Sequence, residues 1–220
     1  MALSRLNYNS LNVTPTASKG IGFDSGADDL AATFSGGAMV FIKKLTSDGS
    51  DDDLSFVDGT SDVVLDSTYK EYLFIFKDIH PETDAADFGF QANVAGGSGY
   101  DETITSSYFR AVHNEADTAS TLSYDANRDQ AQGTGFQEIA SDVGNENDQS
   151  ACGSLHLFNP SSTTFTKHFI LRSSVYIADT GARDQHVAGY FNVTAAIDEI
   201  QFKFNSGEIQ AGTITLYGIN

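Results

Sequence analysis

The stretch 197-IDEIQFKFNSGEIQAGTITLYGIN-220 alternates apolar and polar residues with a period of two, and that alternation decides the fold class. Ile200, Phe202 and Phe204 point one way while Gln201 and Lys203 point the other, as in a strand with one buried face. Residues 205–212, which include Asn-Ser-Gly and Ala-Gly, supply a turn. Ile214, Leu216 and Gly218 then resume the alternation against Thr213, Thr215 and Tyr217. The two runs read as a β-hairpin whose second strand belongs to the core rather than to a frayed end.

The same pattern recurs upstream. In "YKEYLFIFKDI", Tyr72, Phe74 and Phe76 share one face and Leu73 and Ile75 the other, which places this strand mid-sheet with both faces covered. Phe88, Phe90, Ala92 and Val94 alternate, "AMVFIKKL", "TITSSYFRAV" and "HVAGYFNV" offer further strands, and "SLHLFNPSSTTFTKHFILRSS" gives two runs around an Asn-Pro-Ser-Ser turn, with Phe165, Phe169 and Leu171 on one face. About nine or ten strands predict an all-β chain, an antiparallel two-sheet β-sandwich of jelly-roll type. Residues 29–220 form its single domain, and residues 1–28, which lack periodicity, an N-terminal arm. The polar connection 113–150 is long for a compact domain. Within it Thr134 and Gln137 fit a capping box, Phe136, Ile139 and Val143 recur at helical spacing and Gly144 can end the run, so one short helix is expected there.

Composition narrows the function. Sixteen Phe, nine Tyr and twenty Gly with three Pro suit strands punctuated by glycine turns. Twelve basic against thirty acidic residues give a formal charge of −18, which repels nucleic-acid phosphates and anionic membranes. Cys152 is the single cysteine, so no internal disulfide forms; on a strand it reads as a packing residue. No apolar run has the length of a signal peptide or a membrane span, and membrane insertion is not expected.

Chemistry-bearing motifs are sparse. The segment 46–68 holds Asp48, Asp51, Asp52, Asp53, Asp58, Asp62 and Asp66 without a basic residue; clustered oxygens suit Ca2+, but no EF-hand register fits, and a solvated loop is the competing reading. His80, His113, His156, His168 and His186 are scattered without zinc-ligand spacing and read as loop or strand-surface residues. Neither a nucleophile elbow nor a phosphate-binding glycine loop occurs, which argues against catalysis and leaves the cofactor expectation at none apart from Ca2+ at 46–68. Tyr124 with Asp125, Asn127 and Arg128 places an aromatic face beside hydrogen-bonding groups, a candidate binding site for a host-surface glycan. The alternative there is a turn in which Asp125 and Asn127 bond their own backbone.

The phrases "YKEYLFIFKDIHPETDAADFGFQANV", "YFRAVHNEAD", "TLSYDANRDQAQGTGFQ", "GSLHLFNPSSTTFTKHF" and "VAGYFNVTAAIDEIQFKFNSGEIQAGTITLYGI" together resemble a family of small virion structural proteins of marine tailed bacteriophages, over about residues 69–220. The resemblance implies a non-enzymatic component of the virion exterior made in the host cytoplasm. It would be a capsid decoration or head fibre, or a tail-fibre appendage, bound to other capsid or tail proteins. It also implies a homo-oligomer, most simply a trimer, since cyclic symmetry covers sheet edges. A carbohydrate-binding β-sandwich module is the alternative, with Tyr100, Tyr108, Tyr124 and Tyr190 as candidate stacking residues.

Overall fold

A computed structural model describes residues 20–23, 30–34 and 37–220. The chain divides into two compact units, Met1–Val40 and Phe41–Asn220. In the first, β1 (Gly20–Phe23) pairs antiparallel with β2 (Leu30–Phe34), Gly20 opposite Phe34 and Phe23 opposite Leu30. The arm expected over 1–28 lies, β1 apart, outside the described residues.

The second unit is built from β3 (Met39–Thr46, which starts at the boundary), β4 (Leu54–Val57), β5 (Glu71–Pro81), β6 (Ala86–Val94), β7 (Ile104–Asn114) and β8 (Ser120–Tyr124). These are followed by β9 (Ala131–Gly133), β10 (Gln137–Val143), β11 (Ala151–Phe158), β12 (Lys167–Ile177), β13 (Gly181–Phe191), β14 (Ile197–Phe204) and β15 (Ile209–Ile219). The protein is all-β, with no helix among the described residues. All thirteen strands join one sheet in the order β3-β15-β5-β11-β12-β10-β6-β14-β4, with β13 beside β12, β7 beside β13, and β8 and β9 beside β7.

Two expectations are corrected here, and they share one cause. The segment read as a short helix is β10. Gln137, Ile139, Ala140, Ser141 and Val143 of β10 are all buried, so the spacing of Phe136, Ile139 and Val143 reflects a strand covered on both faces rather than one helical stripe. β10 also connects what would otherwise be two layers. It pairs with β6 through Gln137–Phe90, Glu138–Gly89, Ala140–Phe88 and Val143–Ala86, and touches β12 at Val143–Ile177. One continuous sheet, nearly closed into a barrel, therefore replaces the separate sheets of a sandwich.

Period-two alternation elsewhere translates directly into packing, but not into the hairpin expected over 197–220. β14 pairs with β6 and β4 and β15 with β5 and β3, so the turn between them crosses from one part of the sheet to another instead of joining adjacent strands. Tyr72, Phe74 and Phe76 of β5 face inward with Phe88, Phe90, Phe202 and Phe204. Phe202 lies at the centre, its ring within 5.3–6.3 Å of those of Phe56, Phe74, Phe76, Phe88 and Phe90. β5 does lie mid-sheet, between β15 and β11, but its second face, with Leu73 and Ile75, is only half-buried. Phe165 does not share a face with Phe169; it precedes β12 in the turn and is 68 % exposed. β4 was hidden inside the acidic segment: Leu54 and Phe56 bury while flanking acids stay near the surface, and Val63 and Leu65 follow them into the core.

Bulges shape the sheet where side chains must change direction. Asp78, at φ 53°, and Gly212, at φ 124°, occupy the irregular register between β5 and β15; a Cβ on Gly212 would come within 2.7 Å of the Asp78 carbonyl. Asp142 of β10 is likewise left-handed, at φ 54°, where the register with β6 shifts.

Candidate functional site

The four residues expected to bind a glycan fall at the end of β8, with Tyr124, and in the β8–β9 connection, with Asp125, Asn127 and Arg128, and their side chains do not converge on one surface. Asp125 accepts a hydrogen bond from its own turn, from the Asn127 N–H at 3.2 Å, and the Arg128 N–H donates to the Asp125 carbonyl at 3.2 Å. This is the self-bonded turn set against the glycan reading. Beyond it, Asp125 and Arg128 point into the protein. Tyr124 and Asn127 stay outside, Tyr124 56 % exposed with its hydroxyl donating to Asp129.

Arg128 anchors a network of three arginines and four carboxylates across the interior. Its guanidinium reaches Asp87 at 3.0 Å, Asp142 at 3.2 Å and Asp125 at 3.5 Å, and donates to Glu138 at close range. Arg110, facing inward from β7, pairs with Asp125 at 3.0 Å, and Arg183, from β13, holds Asp142 and donates to the Ser141 carbonyl at 3.0 Å. The bulge at Asp142 turns its carboxylate towards both Arg128 and Arg183. Next to the network Gln185, Ser173, Ser141 and Tyr108 complete a polar seam: Gln185 donates to the Ser141 hydroxyl at 2.6 Å and Tyr108 to the same oxygen at 3.3 Å. Polar groups at this depth are tolerated because most of their hydrogen-bonding atoms have partners, although Arg110 Nη1 and Arg183 Nε make no hydrogen bond. These interactions rivet β6, β10, β7 and β13 to the β8–β9 connection.

Four carboxylates against three guanidiniums leave one negative charge in excess, and burial disfavours it most at Glu138. Burial, helped by the neighbouring Asp87 charge and opposed by Arg128, pushes the Glu138 carboxyl up to about 6. A carboxyl whose folded pKa lies above its unfolded value contributes stability that is full below about pH 4.5 and is lost as the pH rises through about 6. Glu138→Gln, which mimics the protonated form, is expected to melt near the wild type at pH 5 and above it at pH 7, by up to roughly 2 kcal/mol. Parallel pH dependence of both melting curves across this range would show that Glu138 does not take up the proton.

The opposite side of the β11–β12–β13–β7–β8 region faces out. Antiparallel register places residues directly opposite one another on the same face, so the outward side chains form rows across the strands. One row runs Ser154, Arg172, His186, Phe109, Tyr124. The next runs His156, Ile170, Ala188, Ser107, and the one after it places Phe158 on β11 near His168, Tyr190 and Thr105. Four of the five histidines, all but His80, lie on this face. Phe109 and His186 stack at 4.8 Å with rings 3° from parallel, His168 and Tyr190 meet at 5.7 Å, and His156 and Phe158 at 6.1 Å. Arg172 is held by Asp184 through two hydrogen bonds of 3.0 and 2.9 Å. Of the candidate stacking tyrosines, Tyr124 and Tyr190 face outward, Tyr108 is fully buried, and burial, with Glu199, raises the Tyr100 hydroxyl to about 12. Cys152 lies on this outer face, exposed, instead of packing in the core. Sequence reading missed the grouping because parity says only which residues share a face; it is strand register that sets His186 beside Phe109.

The acids of 46–68 largely form turns. Asp48 accepts from the Ser50 N–H and hydroxyl, Asp58 from the Leu65 N–H at 2.8 Å and Asp66 from the Thr68 N–H at 2.7 Å. Among the described residues no three His, Cys, Asp or Glu side chains gather in a metal-binding group. Comparison with protein-family models, with curated proteins and with solved structures finds no match for this chain.

Proposed function

We propose that the protein is a non-enzymatic structural component of the exterior of a tailed-phage virion, held there by other capsid or tail proteins as a homo-oligomer, most simply a trimer. The observation that carries this reading is where the interior charge goes. The largest gathering of acids and bases among the described residues, Asp87, Asp125, Glu138 and Asp142 with Arg110, Arg128 and Arg183, is consumed by mutual pairing that braces the sheet. The rings of Phe109, Phe158 and Tyr190 and the imidazoles of His156, His168 and His186 are turned outward on one face of the sheet. Charge used as bracing and rings displayed on a sheet suit a part that holds and binds rather than one that turns over substrate. The resemblance over residues 69–220 and the charge of −18, which keeps a densely packed surface protein soluble, favour the same role.

An antibody raised against the purified chain is expected to decorate intact particles of the encoding phage under the electron microscope, in a regular array on the head or at one tail position. Chain found only in the soluble fraction of a lysate, and missing from the mass spectrum of purified particles, overturns the reading. A second reading, recognition of a glycan, is favoured by the three histidine–aromatic pairs on the outer face.

A further inference from the structure

From the outer face we infer a binding site for one or two pyranose units of a polysaccharide, centred on Ala188 and distinct from the Tyr124–Arg128 turn. It goes beyond the virion assignment and does not depend on it. The site exists because Ala188 and Gly189 are small where their neighbours are large. Between them and Phe158, His168, Ile170 and Tyr190 lies an open depression of about 400 Å3, floored by Ala188 and Gly189, and its volume suits a small ligand. Neighbouring rows are about 7 Å apart, two residues along a strand, so the Phe109–His186 stack stands one row beyond the floor as an extension of the same groove.

The chemistry fits a sugar better than a purely apolar partner. Each ring pair couples a flat apolar face to a polar edge, the combination that a pyranose presents in reverse, with C–H groups on its faces and hydroxyls on its rim. Two of the pairs are oriented before any ligand arrives: His156 Nδ1 lies 2.6 Å from Glu71, and His186 Nε2 lies 3.3 Å from Asp184, which Arg172 also clamps. The rings stand on four long neighbouring strands, so little ordering is left to be done on binding.

The test uses the full chain and defined probes, maltohexaose, xylohexaose and an oligoguluronate, titrated by calorimetry and by saturation-transfer NMR. At least one is expected to bind. Tyr190→Ala and Phe158→Ala should weaken it about tenfold or more, and Ala188→Trp, which fills the floor while keeping every ring, should abolish it. Unchanged melting temperatures separate loss of binding from loss of fold. Tyr124→Ala should leave the affinity unaltered. Failure of all three probes to bind at about 10 mM, or full affinity in Ala188→Trp, overturns the site, as does light scattering that shows a dimer dispersed by Ala188→Trp, which would make the occupant a second copy. Particle labelling with antibody is independent of each of these outcomes.

Discussion

Phe202→Ala is expected to lower unfolding stability by about 4 kcal/mol, enough to unfold a marginal domain at 37 °C. The ring is fully buried and meets five other phenylalanine rings, drawn from β4, β5 and β6. Removing it leaves a cavity at the point where the inner faces of the folded-over sheet converge, and rings locked by mutual edge-to-face contacts have little freedom to collapse into it. Denaturant titration followed by tyrosine fluorescence checks this; a loss below about 1 kcal/mol would place Phe202 at a yielding site and displace the centre of the core.

Arg128→Ala is expected to be comparably damaging, about 3–5 kcal/mol, for the opposite physical reason. Here no apolar area is at stake. The substitution strips the shared partner from Asp87, Asp125, Glu138 and Asp142, leaving like charges facing one another with only Arg110 and Arg183 between them. Arg128→Lys should recover only part of the loss, because a single ammonium cannot span carboxylates that the planar guanidinium reaches from three nitrogens. The defect should shrink as the pH falls through about 6, where Glu138, which burial already pushes up against the opposing effect of Arg128, takes up its proton. A stability curve for Arg128→Ala that runs parallel to the wild type from pH 7 to pH 4 would show that the network is not what Arg128 stabilises.

What the sequence disclosed follows from the range of each signal. Alternation is local, so β14 and β15 as strands and the inward set Tyr72, Phe74 and Phe76 could be read residue by residue, whereas the pairing of β14 with β15 could not, because alternation fixes which side chains share a face and not which strand lies alongside. β10 could not, because a short strand buried on both faces carries no alternation and its apolar spacing coincides with that of a helix. β4 was masked by the aspartates around it, although Leu54 and Phe56 sit two residues apart as a strand requires. The Tyr124–Arg128 group was legible as a local constellation, yet the partners that claim Arg128 are Asp87, 41 residues away, and Glu138 and Asp142, 10 and 14 residues away. Local patterns reveal which side chains are near one another along the chain; competition from distant carboxylates is invisible until the register of β6 against β10 is known.

The sheet order also dictates a timetable. β15 lies between β3 and β5, and β14 between β4 and β6, so the strands made early in translation are separated in space by strands made more than a hundred residues later. At ordinary synthesis rates a nascent chain waits on the order of ten seconds between the emergence of β4 and that of β14, with sheet edges unpaired and Phe56, Phe74 and Phe88 unsheltered. Closure is therefore dominated by long-range pairing and late in time, the regime in which unfinished chains stick to one another. The excess of acidic residues acts first during this interval, as mutual repulsion between neighbouring polysomes' products, before it has any surface of a finished protein to solubilise.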